Sequence, residues 1–297
     1  MKPRKLKLSV GERVFNGFNY TLLTSLMLVT AYPFIFIVLA SFSDPLQIIS
    51  HRGLLLAPKG FQLEAYKIVL ENPMLLTSYL NTIFYVIAGT SINLFFTSIG
   101  AYILSRKHFL IRNQVMFIIA FTMFFSGGLI PSYLLIQSLG IYNTRWVLML
   151  PRAIVAWNLI IMRTSFASVP ASLEESAKLD GAREFTVLFR IILPLSMPVV
   201  AVMILFYGVS HWNAWFDAMV YLQKRELYPL QLLLREILIG STQLEMLTDV
   251  TDSTRRPGME ILIRYATIIV ATLPVLCIYP FLQKYFVKGV MVGAIKA

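Results

Sequence analysis

Cysteine is nearly absent from this sequence: Cys277 stands alone among 297 residues. One thiol cannot close an intrachain disulfide, and with only His51, His108 and His211 scattered along the chain there is no spacing that suggests a metal site. No GxxxxGK[ST] stretch occurs, so the chain lacks the glycine-rich loop that cradles nucleotide phosphates. Clustered acids, bases or metal ligands of the kind an embedded enzyme needs are missing too. Charge is scarce. Asp, Glu, Lys and Arg make up 14% of the residues, where a soluble domain averages about 25%.

What replaces them is apolar. Hydrophobic residues account for 57% of the chain and mean hydropathy is +0.71. Apolar runs recur at lengths close to the ~20 residues that cross a ~30 Å hydrocarbon layer. Six segments follow, near 18–42, 77–104, 114–138, 146–165, 195–222 and 261–283. They predict an all-α membrane protein with one transmembrane domain over 1–297. The first run is too long for a signal peptide and is read as an uncleaved span. Pro33 falls within it, and Gly127, Gly128 and Pro131 predict a loosened or kinked third span.

The formal charge of +11 is explained by sidedness rather than by nucleic-acid binding. Six crossings put both termini on one side. That side carries 15 Lys/Arg, with Arg163 at the end of the fourth segment included, against 5 Asp/Glu; the other carries 11 against 9. The first is therefore the cytoplasm. On the opposite side, Phe61, Ala65, Ile68 and Val69 fit one apolar helical face, and 248–258 reads as a polar loop.

One cytoplasmic stretch departs from the general greasiness: "EESAKLDGAREFTVLFRIILP", 174–194, holds seven charged residues in 21. Ser172 has N-cap chemistry with Glu175 at the capping-box distance. Glu174 and Lys178 form an i,i+4 pair, and Gly181 suits the position after a C-cap. These signals predict a short helix over 173–180. A second helix follows with Phe185, Leu188, Phe189 and Ile192 on one face, and Pro194 begins the fifth span.

This stretch resembles the signature of binding-protein-dependent ABC importer permeases: E-A-A, three residues, G, nine residues, I, one residue, L-P. Here it reads Glu175-Ser176-Ala177, Gly181, Ile191 and Leu193-Pro194, with Ser176 in place of alanine. "SGGLIPSYLLIQSLGIYNTRWVLMLP", "NLIIMRTSFASVP" and "HWNAWFDAMVYL" are similar to the carbohydrate-uptake, maltose-type (MalG-like) branch, in which some relatives handle acidic polymers such as alginate. The resemblance implies a type I importer permease fold in the bacterial cytoplasmic membrane. It implies a second permease subunit, two ATPase subunits, an extracytoplasmic solute-binding protein and an oligosaccharide substrate. ATP and Mg would belong to the ATPase subunits, and this chain would hold no cofactor. It further implies that Glu174, Glu175, Ser176, Ala177, Asp180 and Gly181 form a coupling helix against the ATPase. Glu175 then has two compatible readings, cap partner and ion-pair partner.

The other candidates lie toward the outer membrane face. His211 and Asp217 are ionisable, Trp212 and Trp215 are aromatic, and Asn213 and Asp217, at i,i+4, share a helical face. Either this is an interfacial aromatic belt, or it is a vestibule where sugar rings stack on tryptophan and hydroxyls meet Asn213 and Asp217. Its acid, Asp217, suits a neutral sugar better than a uronate. Asn158 in the fourth span is a further pathway candidate. The alternative to an ATP-driven permease is an ion-coupled secondary transporter, which would use ionisable residues at mid-depth and often internal repeats. No ionisable residue falls at mid-depth in the first, second, third or sixth segment, and the sequence shows no internal repeat.

Overall fold

The computed structural model describes residues 9–247 and 258–294, and the secondary structure of those residues is helical throughout. In chain order the helices are α1 (Val10–Ser41), α2 (Pro45–Ile49), α3 (Glu64–Leu70), α4 (Pro73–Ser105), α5 (Arg112–Phe121), α6 (Leu129–Ser138), α7 (Ala156–Ala167), α8 (Ala171–Leu179), α9 (Glu184–Val187), α10 (Leu193–Leu195), α11 (Met197–Trp212), α12 (Phe216–Tyr221), α13 (Leu230–Leu247) and α14 (Met259–Ala294). A π turn, Leu188–Ile192, joins α9 to α10. Residues 248–258 fall almost wholly outside the described set, and with them the polar loop expected there. The chain divides into two compact units, Met1–Glu71 with Ile237–Val270 and Asn72–Glu236 with Ala271–Ala297.

In the first unit α1 begins at a true capping box. Ser9 Oγ accepts from Glu12 N at 3.2 Å, and Ser9 N donates to Glu12 Oε2 at 2.6 Å. Thr21 and Thr30 return their hydroxyls to carbonyls one turn back, which satisfies them without a partner helix. α2 is set by Asp44, whose carboxylate accepts from Leu46 N, and by Pro45 in its first turn. On α3, Ala65 and Val69 are buried against Met259, Leu262 and Ala266. Phe61 and Ile68 stay exposed, so the apolar face expected across all four residues narrows to two. The helix starts only at Glu64, which leaves Phe61 outside its register; Phe61 stacks instead on Phe42.

In the second unit α4 is the central rod, packed along α11 and α7. At 33 residues it is about 50 Å long, more than a hydrocarbon layer. Among the described residues three helices are long and apolar enough to cross a membrane: α1, α4 and the Met259–Cys277 part of α14. The bent pair Glu184–Leu195 and Met197–Trp212 meets the same length and hydropathy test when taken together, with an 88° bend between its halves.

Two expected spans are more broken than their hydropathy suggests. The third is not one kinked helix but α5 and α6, separated at 122–128, where Gly128 takes φ 86. The fourth begins as a 3-10 turn, Arg145–Leu148, and α7 starts only after Pro151. The fifth starts at Met197 rather than at Pro194. Pro198 in the first turn of α11 offers no N–H and its ring conflicts with the carbonyl four residues back, so the chain turns an 88° corner at Ser196. Pro194 likewise cannot donate to Arg190, and the backbone before it widens into the π turn. That turn rotates the buried face. Val187, Leu188 and Ile192 are buried, while Phe185 and Phe189 stack on each other outside.

Candidate functional site

One end of the second unit is built around α8. Its C-terminus closes as a Schellman motif. Gly181 N donates to Lys178 O at 3.0 Å, Ala182 N donates to Ala177 O at 2.9 Å, and Gly181 takes φ +81 as expected. Its N-terminus differs from expectation. The helix starts at Ala171 after Pro170, so Ser172 lies inside the first turn, and no side chain caps it. There is no Ser172–Glu175 capping box. Glu175 is exposed, which removes the first of its two readings.

Glu174 turns the other way and is buried. One carboxylate oxygen receives Arg106 Nη1 at 2.6 Å; the other receives Lys178 Nζ at 2.9 Å, the i,i+4 pair expected from sequence. Lys178 also reaches Glu184 at 2.8 Å. The Tyr102 hydroxyl donates to Glu184 at 2.5 Å and sits 3.3 Å from Glu174. Arg106 lies over the Tyr102 ring, 4.7 Å from its centroid, and donates to the Phe166 carbonyl at 3.4 Å. The Glu184 carboxylate, then that of Glu174, holds the Lys178 ammonium above the usual lysine value. Lys178, then Tyr102, holds Glu184 below the usual carboxylate value. A raised lysine loses its contribution only as pH climbs through the raised value, and a lowered carboxylate only as pH falls through the lowered one. Lys178 and Glu184 therefore stay charged across the neutral range.

The rest of α8 faces outward. Glu175, Ser176 and Asp180 are exposed, Ala177 is half-buried, and Leu179 is 90% exposed. Leu179 was not singled out from sequence. A large apolar residue in the last turn of a charged helix is the signal that marks it.

At the far end of α11 the expected residues separate into two sets. His211 is buried against α4, where its Nε2 meets Asn93 Oδ1 at 2.7 Å. Asn93 Nδ2 in turn donates to the Arg152 and Ala153 carbonyls at 2.6 and 3.1 Å. Trp212 is buried and meets Tyr79 edge-on, with no open ring face for a sugar. Asn158 is buried in the first turn of α7. Asn213, Trp215 and Asp217 form the accessible set. They do not share one helical face, because α11 ends at Trp212 and α12 starts at Phe216. Asp217 is paired with Arg152 at 3.1 Å, and the Arg235 guanidinium sits 3.6 Å over the Trp215 ring. Asp217 is thus a compensated charge, and the ground for preferring a neutral sugar disappears.

Sequence reading also missed Asn93 and Asn143. Asn143, at φ 56, accepts from Gln223 N and Lys224 N at 2.9 and 3.0 Å and so staples the 139–144 turn to the segment after α12. Asn93 had a legible signal. Asn81, Tyr85, Gly89, Asn93, Thr97 and Ala101 recur every fourth residue along α4, a polar and small stripe of the kind that packs helices in membranes.

A family profile described as "Binding-protein-dependent transport system inner membrane component" matches residues 97–292, which include α8 and its signature. The chain belongs to this family. The permease is 40% identical over 286 residues to the polygalacturonan/rhamnogalacturonan transport system permease protein YtcP of Bacillus subtilis, covering 96% of this chain and 99% of that one. It is 42% identical over 284 residues to protein LplC of the same organism, covering 96% and 95%. Among solved structures it is similar to a chain of a bacterial ABC transporter involved in the import of the acidic polysaccharide alginate. That match has TM-score 0.83 and 35% identity, covering 95% of the permease and 100% of that chain. An ion-coupled secondary transporter is thereby set aside, and the chain is a transport subunit.

Proposed function

We propose that the permease is one of two membrane subunits of an ATP-driven importer for acidic oligosaccharides. An external solute-binding protein delivers substrate, and two ATPase subunits hold ATP and Mg and dock on α8. Likeness along nearly the whole chain to a permease for polygalacturonan and rhamnogalacturonan carries this reading.

The charge at the outer end of the second unit supports it. Residues 139–158 and 213–236 hold Arg145, Arg152, Lys224, Arg225 and Arg235 against Asp217, Glu226 and Glu236, a net of +2. Arg152 uses one nitrogen on Asp217 while its side chain stays 62% exposed, which leaves donors in a fork that matches a carboxylate. Its backbone is fixed by Asn93 and, through it, by His211. On α8, Glu175, Ser176, Ala177, Leu179, Asp180 and Gly181 make the surface offered to the ATPase.

The test is ATP-driven uptake in proteoliposomes containing the full complex and its binding protein. Galacturonate oligomers should enter several-fold faster than methyl-esterified oligomers of the same length. Arg152→Gln should reduce that preference while the complex still assembles. Equal uptake of ester and acid in the unaltered complex would sink the acidic-substrate reading.

A further inference from the structure

We infer that Arg106 and Glu174 are positioning residues that bolt the coupling helix to the inner end of α4, so that the ATPase stroke enters the membrane through α4 and α7. The inference rests on the reading of α8 as the ATPase-docking helix, and it goes beyond it by naming the path.

Beyond the three-residue link 168–170 that joins α8 to α7, two routes lead from α8 into the bundle. The covalent one runs forward through Gly181, α9, the π turn and α10 to the 88° corner at Ser196, and only then into α11. That route holds a positive-φ glycine, an irregular turn and a right-angled bend. Each is a place where the backbone can flex instead of transmitting a displacement. The second route is through space and is short. Arg106 is the residue that follows the last residue of α4, and its guanidinium is 2.6 Å from Glu174 in the first turn of α8.

The chemistry favours the second route. Both side chains of the Arg106–Glu174 pair are only 8% exposed. Burying an ion pair sacrifices hydration that the pair's attraction seldom recovers in full, so net stability is a weak reason for having one here. What it supplies is a fixed geometry. Arg106 is held from three sides, by Glu174, by the Phe166 carbonyl of α7 and by the Tyr102 ring of α4. Lys178 and Tyr102 tie Glu174 to Glu184 at the start of α9. Arg163 of α7 donates to the Leu104 carbonyl at 3.2 Å, a further tie between α7 and the same end of α4. Glu174 thus faces inward to this cluster while Glu175, one residue on, faces out. The helix has a docking side and a bolted side, and the charged stretch supplies both.

From Arg106 the connection continues along a helix without a break. α4 runs unbroken from Ser105 back to Pro73. Near its other end Asn81 donates to the Glu226 and Tyr228 carbonyls, and Tyr85 to that of Leu227. Midway, Asn93 holds the backbone of Arg152. A rigid displacement of α4 therefore reaches the outer segments through hydrogen bonds it already makes.

Two measurements on the complete complex test this. In the first, Glu174→Gln and Arg106→Gln are compared with the unaltered complex for substrate imported per ATP hydrolysed. The ratio should fall at least five-fold while ATPase subunits still co-purify. In parallel, a cysteine at Ser176, in a Cys277→Ser background, reports ATPase docking by short-range crosslinking. A crosslink with an unchanged ratio overturns the bolt and leaves the docking reading standing; no crosslink from any preparation overturns the docking reading itself. The second measurement leaves the bolt intact and so covers variants that fail to assemble. Spin labels at Lys107 and Ser172, both exposed, report the separation of the α4 end from α8. That separation should hold constant between the nucleotide-free and ATP-trapped states. A change of several ångströms would show α8 moving independently of α4 and would refute the inference.

Discussion

Gly89 faces the imidazole of His211 across the contact between α4 and α11, and the absence of a side chain there is what admits the ring. A Cβ at position 89 would lie 2.5 Å from both Cε1 and Nε2 of His211, closer than any real contact allows. The ring has little freedom to retreat, because Nε2 is fixed on Asn93 and Asn93 is fixed on the Arg152 and Ala153 carbonyls. Gly89→Ala should therefore displace the imidazole and cost about 1–3 kcal/mol, as overpacking of a filled interior does. The check is a double-mutant cycle by thermal unfolding of the purified complex. In a His211→Ala background the same Gly89→Ala change should cost less than half as much. Equal costs in both backgrounds would mean that His211 is not the obstacle.

At the scale of one helix, α8 separates what neighbours decide from what distance decides. The Glu174–Lys178 pair and the glycine stop at Gly181 were legible in the sequence because both depend on residues within a few positions. The helix start was misread for a related reason. Ser172 and Glu175 have the right chemistry and spacing, yet Pro170 opens the helix two residues sooner and leaves both inside it. Arg106 was invisible from sequence, since it lies 68 residues from Glu174. His211 was noticed only as an ionisable residue, because its partner Asn93 is 118 residues away. The Schellman stop gives a clean experiment. Nothing lies within 4 Å of a Cβ built at Gly181, so substitutions there differ only through the backbone. Asparagine tolerates the left-handed region and valine does not. Gly181→Asn should retain most uptake, whereas Gly181→Val should lower import per ATP hydrolysed several-fold in reconstituted vesicles. Equal behaviour of the two variants would show that the left-handed turn is not needed for coupling.

For the whole molecule, the expected crossings and the distribution of charge predict an orientation jointly. Hydropathy located α1, α4 and α14 because each is long and apolar without interruption. It could not separate α5 from α6 or find the corner at Ser196, because these depend on Gly128 and Pro198 rather than on apolarity. Among the described residues none buries any part of the α1 window. The sequence predicts six crossings, which would put the C-terminus on the side of the N-terminus. The segments expected on that side hold 15 Lys/Arg against 5 Asp/Glu, which predicts that it is the side that does not translocate. Alkaline phosphatase fused after Gly53 or after Gln223 should be active, and fused after Lys107 it should be inactive. A fluorescent protein at Ala297 should fold and fluoresce in the cytoplasm. Activity at Lys107 together with none at Gly53 would invert the molecule and carry α8, with Glu175 and Leu179, away from the compartment that holds ATP. The same reporters therefore test the charge rule and the ATPase-facing role of α8 at once, although the two are argued from different residues.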